Sequence, residues 1–382
     1  MDLENEIIEL LKKYKIVYAL TLPCAKIKRL LNLTEENLHH IPLSREEEGV
    51  GISTGIHLAG KRSVMMFQSG GIGNSLNALL SLAKVYEIPI PMIISWRGIY
   101  KEKIEAQKPM GEYLPGIFEA VELPYVLVEE KDDTKKIEEA FSMAYEKSIP
   151  IGIFVSPKFW EQSEYDMSKP DEESYPIRKF AFVLGKASTT ITEPKITRYR
   201  AIQALTNQLT NKIVISNIGV PSKELFKLSD QPSNFYMLGS FGMASAIGLG
   251  IALVKESEVI VIDGDASILT NPNILGTITQ EKNYSNNLTV LLMDNGACGS
   301  TGNQLTLAFS KIDLELLARA YGFDNTHKAY EPEEIINICK KKSYGPRLLH
   351  IILKPGNADV ENIPLSAIKI KERFMNAIRM IK

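Results

Sequence analysis

Val259-Ile260-Val261-Ile262-Asp263-Gly264-Asp265-Ala266-Ser267 is an unbroken β-branched run that stops at a turn carrying an acid. Such a run suits a strand buried on both faces, as in a parallel sheet. The Gly-Asp pair then falls at the strand's carboxyl end, where open α/β sheets collect their ligands. A second apolar run, 289–293, ends the same way in Asp294-Asn295-Gly296. Gly264 lets the backbone approach a phosphate, and Asp265 offers a hard oxygen to magnesium. An Asp and an Asn at the ends of two strands can meet at one ion. Either turn alone is better read as an ordinary turn after a strand. The two together favour a metal beside a diphosphate.

Working outward, short apolar runs recur between amphipathic stretches. They lie at 16–21, 64–67, 92–95, 126–129 and 151–155, and again at 213–216, 259–262, 289–293 and 348–353. Helical patterns at 75–85 and 244–254 suit crossovers between parallel strands. The reading is α/β, twice over. A polar stretch with Pro170 and Pro176 and the turn-rich residues 189–194 separate the two series. The expected organisation is a first domain at 1–165, a linker at 166–194 and a second domain at 195–382.

A formal net charge of −2 excludes a basic field for nucleic acid. The apolar runs are too short to span a bilayer, and the start of the chain is charged rather than signal-like. The three cysteines, Cys24, Cys298 and Cys339, are far apart, so neither a disulfide framework nor a zinc site is expected. A reducing, cytoplasmic protein without membrane or nucleic-acid partners follows as the expectation.

Three further stretches carry candidate chemistry. Gly239-Ser240-Phe241-Gly242-Met243 leads into a helix of small residues and can present N–H groups, Ser240 among them, to phosphate. Plain helix packing is the other reading. Ser44-Arg45-Glu46-Glu47-Glu48 opens a helix that turns almost uncharged over 49–55. A triple acid is ordinarily a solvated helix start. One facing a dry interior has its pKa raised. Gln68-Ser69-Gly70-Gly71-Ile72-Gly73-Asn74 follows a strand and serves either as a turn or as the lining of a polar pocket.

These motifs together resemble the thiamine-diphosphate-dependent decarboxylases. Their marker is Gly-Asp-Gly followed, at the spacing seen here, by paired asparagines. In this chain Ala266 stands for the last glycine and Asp294 for the first asparagine. The resemblance implies two thiamine-diphosphate-binding domains, the first for the pyrimidine ring and the second for the diphosphate. It implies magnesium held by Asp265, Asn295 and the backbone carbonyl of Ala297, with Gly264, Ala266, Ser267 and Ser240 around the diphosphate. Phe241, with Met243 as second choice, would prop the cofactor. In the family the activating glutamate stands nine positions before a helix glycine, so Gly55 selects Glu46 (55 − 46 = 9), with Glu47 as the alternative.

The blocks at 22–24, 68–77, 95–98, 107–111, 294–304 and 354–357 are similar to the sulfopyruvate and phosphonopyruvate decarboxylases of this family. Their two halves often occur as separate subunits and look fused here. The resemblance implies decarboxylation of 3-sulfopyruvate to sulfoacetaldehyde through a thiamine ylid, in coenzyme M biosynthesis. It also implies a homo-oligomer, dimer or tetramer, with sites at subunit interfaces. For the small dianionic 2-oxoacid, Arg97 offers a planar fork, with Asn74 and His57 as further polar candidates. Phosphonopyruvate decarboxylase, a thiamine-dependent carboligase and a non-catalytic binding relative are the alternatives.

Overall fold

The computed structural model describes residues 2–163, 193–341 and 343–381. The first domain is built on β1 (Ile16–Thr21), β2 (His39–Pro42), β3 (Arg62–Gln68), β4 (Ile90–Ser95), β5 (Tyr125–Val128) and β6 (Pro150–Val155). They form one six-stranded sheet in the order β2-β1-β3-β4-β6-β5, with every pairing parallel. The second domain contributes β7 (Ile213–Ser216), β8 (Asn234–Tyr236), β9 (Val259–Gly264), β10 (Leu288–Asp294), a two-stranded turn of β11 (Ala297–Cys298) and β12 (Gln304–Leu305), then β13 (Asn325–Ala329) and β14 (Arg347–Ile352). Its main sheet runs β13-β14-β10-β9-β7-β8, again parallel throughout.

All nine apolar runs picked out in the sequence are strands. The three strands of the two main sheets that the pattern missed, β2, β8 and β13, are short and lie at sheet edges. The edge strand β2 is half-exposed His39-His40 with Pro42, and β13 mixes Asn, His and Lys, so neither carries a continuous apolar signal. The helix expected over 75–85 begins earlier, at Gly71, and widens to π form over Leu79–Lys84. The expected linker, 166–194, lies outside the described residues except for 193–194. Among the described residues no helix is long and apolar enough to cross a membrane.

What joins the domains is a contact between two small-residue helices, Glu46–Leu58 and Ala244–Ala252. A Cβ on Gly55 would lie 2.1 Å from the Ile247 carbonyl oxygen, and one on Gly250 would lie 2.1 Å from that of Ile52. The backbones therefore touch, as only glycine permits. Every residue of Ala244–Ala252 is buried, which explains its lack of a polar face. One continuous apolar core runs through both domains. Polar clamps ring the joint. The Tyr86 hydroxyl donates to the Tyr236 carbonyl (2.8 Å) and accepts from the Leu238 N–H (2.9 Å). The Tyr18 hydroxyl donates to the Leu253 carbonyl at 2.7 Å.

Gly250→Ala forces the helices apart and should destabilise the protein by about 1–3 kcal/mol. Gly116→Ala, in a helix where the added methyl meets nothing within 4 Å, should be neutral or stabilising by up to about 1 kcal/mol. Thermal melts of the two variants check the contrast.

Candidate active site

Strand β7 feeds β8 on one side of the second sheet, and β9 feeds β10 on the other. The order therefore reverses between β7 and β9, and a crevice opens at their carboxyl ends. A cavity of about 300 Å³ occupies it. Its walls are the turn after β7 (Asn217 to Pro221), the turn after β9 (Gly264 to Ser267) and the loop after β10 (Asn295 and Ala297 to Thr301), with Phe241, Arg198 and Asn357 closing the rim. Asp265 opens the short helix Asp265–Thr270, so the first N–H groups of 265–267 have no intrahelical acceptor.

The residues present suit a metal–diphosphate pair. Asp265 is 3% exposed, and the hydroxyl of Thr306 donates to its carboxylate. Burial, and secondarily the nearby Asp294 charge, push its pKa up to about 6. A buried carboxylate held in that way gains from a bound cation. Asn295 is 4% exposed, and its side-chain nitrogen has no hydrogen-bond partner among the described residues. An amide flip would turn its oxygen there instead. Carboxylate, amide oxygen and the Ala297 carbonyl are the hard donors magnesium prefers, with phosphate completing the shell.

Asp294 takes a structural part. Its carboxylate accepts from the Gly296 N–H (3.0 Å) and from His350 Nε2 (2.7 Å). Burial opposes charge on His350, but the Asp294 and Asp313 carboxylates outweigh it and raise its pKa.

The three acids at the start of helix Glu46–Leu58 have three separate fates. The Glu48 carboxylate accepts from the backbone N–H groups of Ser44 (2.6 Å) and Arg45 (3.3 Å), closing the helix start. Glu47 pairs with Arg45 at 3.5 Å. Burial raises the pKa of both. Glu46 turns inward and accepts from Asn74 Nδ2 at 2.9 Å through Oε2. A Cβ on Gly71 would lie 2.5 Å from Glu46 Oε1, so that glycine makes room for the carboxylate. Ser69, in the same loop, donates its backbone N–H to the Ser95 carbonyl and its hydroxyl to that of Arg97. Glu46, Asn74 and Arg97 thus gather at the carboxyl end of the first sheet.

The remaining candidates are sorted by position. Arg97 is tied to Glu102 (Nε to Oε2, 2.7 Å), and that contact holds the Glu102 pKa at about 2. Its charge is compensated, so it has N–H donors to offer rather than a net charge. His57 lies eleven residues beyond Glu46 on one helix, about 16 Å along the axis, and burial lowers its pKa to about 4. It is set apart from Glu46 and Asn74. Of the loop 239–243, only Phe241 lines the cavity. Ser240 bonds instead to Ser81 Oγ (2.7 Å), and Met243 is buried beside Gly51, so both belong to the domain joint. Every cavity-lining residue comes from the second domain, and Glu46 is not among them.

Sequence reasoning missed Arg198, Asn217, Thr306 and Asn357 as site residues. The strand-end rule that found Asn295 would also have found Asn217, directly after β7. Arg198 opens a helix and carries no such signal.

Two family models match the chain: the thiamine pyrophosphate enzyme N-terminal TPP binding domain over residues 1–115 and the C-terminal TPP binding domain over residues 218–351. A sulfopyruvate decarboxylase of Methanosarcina acetivorans is 44% identical, covering 99% of this chain and 98% of its own. The sulfopyruvate decarboxylase α and β subunits of Methanococcus maripaludis are 41% and 42% identical over 38% and 48% of this chain, covering 90% and 99% of their own lengths. They match its separate halves. A phosphonopyruvate decarboxylase of Streptomyces viridochromogenes is 30% identical, covering 88% of this chain and 85% of its own. A thiamine diphosphate-dependent 4-hydroxybenzoylformate decarboxylase of Rhodococcus jostii superposes with a TM-score of 0.70, covering 94% of this chain and 100% of its own, at 11% identity, a likeness of fold. The chain belongs to the sulfopyruvate decarboxylase family of thiamine pyrophosphate enzymes, with both halves joined in one polypeptide.

Proposed function

We propose that this protein removes carbon dioxide from 3-sulfopyruvate and releases sulfoacetaldehyde, a step assigned to coenzyme M biosynthesis. The observation that carries the reading is 44% identity along almost the entire length of a sulfopyruvate decarboxylase. The second-domain cavity takes the diphosphate, with magnesium at Asp265, Asn295 and the Ala297 carbonyl. Thiamine diphosphate, when bound, supplies the electron sink that a 2-oxoacid needs in order to lose its carboxylate.

The chain's own residues do the rest. Glu46 would hold the proton exchanged with the cofactor ring at Oε1, while Asn74 fixes its Oε2. Gly71 keeps the space that the carboxylate occupies. Phe241, which lines the cavity, would give the cofactor an apolar wall. The substrate sulfonate is met by N–H donors around Arg97. Because Glu102 already offsets that guanidinium, it orients the anion without a strong field on the departing carboxylate. His57 takes no part. With Glu46 absent from the cavity lining, the working site joins Glu46 of one subunit to the cavity of another, in a homo-oligomer.

The purified protein should release carbon dioxide from sulfopyruvate with a kcat/KM at least about tenfold above that for phosphonopyruvate, and only with thiamine diphosphate and magnesium. A preference for phosphonopyruvate would contradict the substrate assignment. Glu46→Gln should bind the cofactor normally and lose turnover by about 10²- to 10⁴-fold, while Glu47→Gln stays near wild type. The reverse pattern would move the activating role one residue on. In calorimetric titrations, Asp265→Ala should lose magnesium-dependent cofactor binding. Retained magnesium dependence would remove Asp265 from the metal site.

A further inference from the structure

Two stretches singled out in the sequence, Gly299 to Gln304 and Lys354 to Asn357, are far apart in the chain and meet at the rim of the cavity. After β14 the chain passes over the carboxyl end of β10, where the Leu353 N–H donates to the Asp294 carbonyl at 2.7 Å. It then reaches the helix Val220–Ser229, where the Ala358 N–H donates to Glu224 Oε1 at 3.1 Å. Between these anchors, Asn357 Nδ2 donates to the Gly299 carbonyl at 2.9 Å. The Asn357 side chain is itself fixed, because its Oδ1 accepts from Arg198 at 2.8 Å. Arg198 is locked in turn by the fully buried Glu224, Nε to Oε2, at 2.7 Å. The fit at the loop is tight. A Cβ on Gly299 would lie 2.6 Å from Asn357 Oδ1 and 2.9 Å from Nδ2.

We infer that Asn357 is a positioning residue for the cofactor: anchored through Arg198 and Glu224, it latches the loop 298–301 over the cavity and slows release of the bound diphosphate. The base of this hairpin is closed by the pairing of β11 with β12 and by Thr306 on Asp265, and the latch ties its tip to the rim through the Gly299 carbonyl. The inference rests on the diphosphate occupying this cavity, as proposed above, and does not depend on which 2-oxoacid is used.

The test follows release of isotopically labelled thiamine diphosphate from the full-length, magnesium-loaded protein, with amide hydrogen exchange of the loop in the cofactor-free protein. Asn357→Ala should speed release about fivefold and speed exchange in the loop alone, with an unchanged melting temperature. Gly299→Ala should speed release in the wild-type background but add nothing to Asn357→Ala, since the atoms it would strike are then gone. Wild-type release rates in Asn357→Ala, additive effects in the double variant, or faster exchange across the molecule with a lowered melting temperature would each overturn the latch. Failure of the wild-type protein to bind thiamine diphosphate would instead overturn the cofactor reading on which it rests.

Discussion

The close approach of two helices at Gly55 and Gly250 sets the geometry on which the rest of the protein depends. Each position faces a backbone carbonyl at a distance no side chain tolerates. The contact therefore fixes how the first sheet sits on the second. It also fixes the start of both helices. At one start stands Glu46, and at the other the loop with Phe241. A packing constraint made of glycine thus positions the groups proposed to meet the cofactor. Tyr18 and Tyr86 reinforce the same joint with hydrogen bonds from side chain to backbone.

Electrostatics divides the acids around this frame. Glu48 is used up in closing its helix, and Glu47 leans on Arg45. Glu48 is fully buried and also accepts from the Thr277 hydroxyl, whereas Glu46, 3% exposed, is held by the Asn74 amide. In the second domain, Asp294 is spent on Gly296 and His350, while Asp265 keeps a buried carboxylate held by the Thr306 hydroxyl and by backbone N–H groups at its own helix start. Neighbouring residues of one type are thereby separated into structural and chemical roles. The substitution of Asp294 for an asparagine fits this division, because a carboxylate there can take a buried histidine as its partner.

Much of this was legible in the sequence because buried parallel strands write themselves as continuous apolar runs. The end of such a run marks where ligands gather, and that rule pointed to Asp265 and Asn295, which line the cavity; Ala297, on the same wall, came from the resemblance. Edge strands escaped, since β2 and β13 are half-solvated and compositionally mixed. The rim residues escaped for another reason. Arg198 and Asn357 act through contacts between segments 159 positions apart, and no local pattern encodes such a meeting. His57 illustrates the converse. It is polar and sits in a suggestive motif, yet helix geometry carries it about three turns away from Glu46. Ser240 and Met243 likewise sit in a glycine-rich motif that serves the joint between domains.

The central claim is that one site needs Glu46 from one subunit and the Asp265 cavity from another. Mixing Glu46→Gln with Asp265→Ala, each inactive alone, and allowing subunits to exchange tests it most directly. In a mixed dimer one site then holds both intact halves, and the expected result is recovery of about a quarter of wild-type decarboxylation. No recovery despite demonstrated subunit exchange would contradict the account, because it would place both residues in a site made by a single chain.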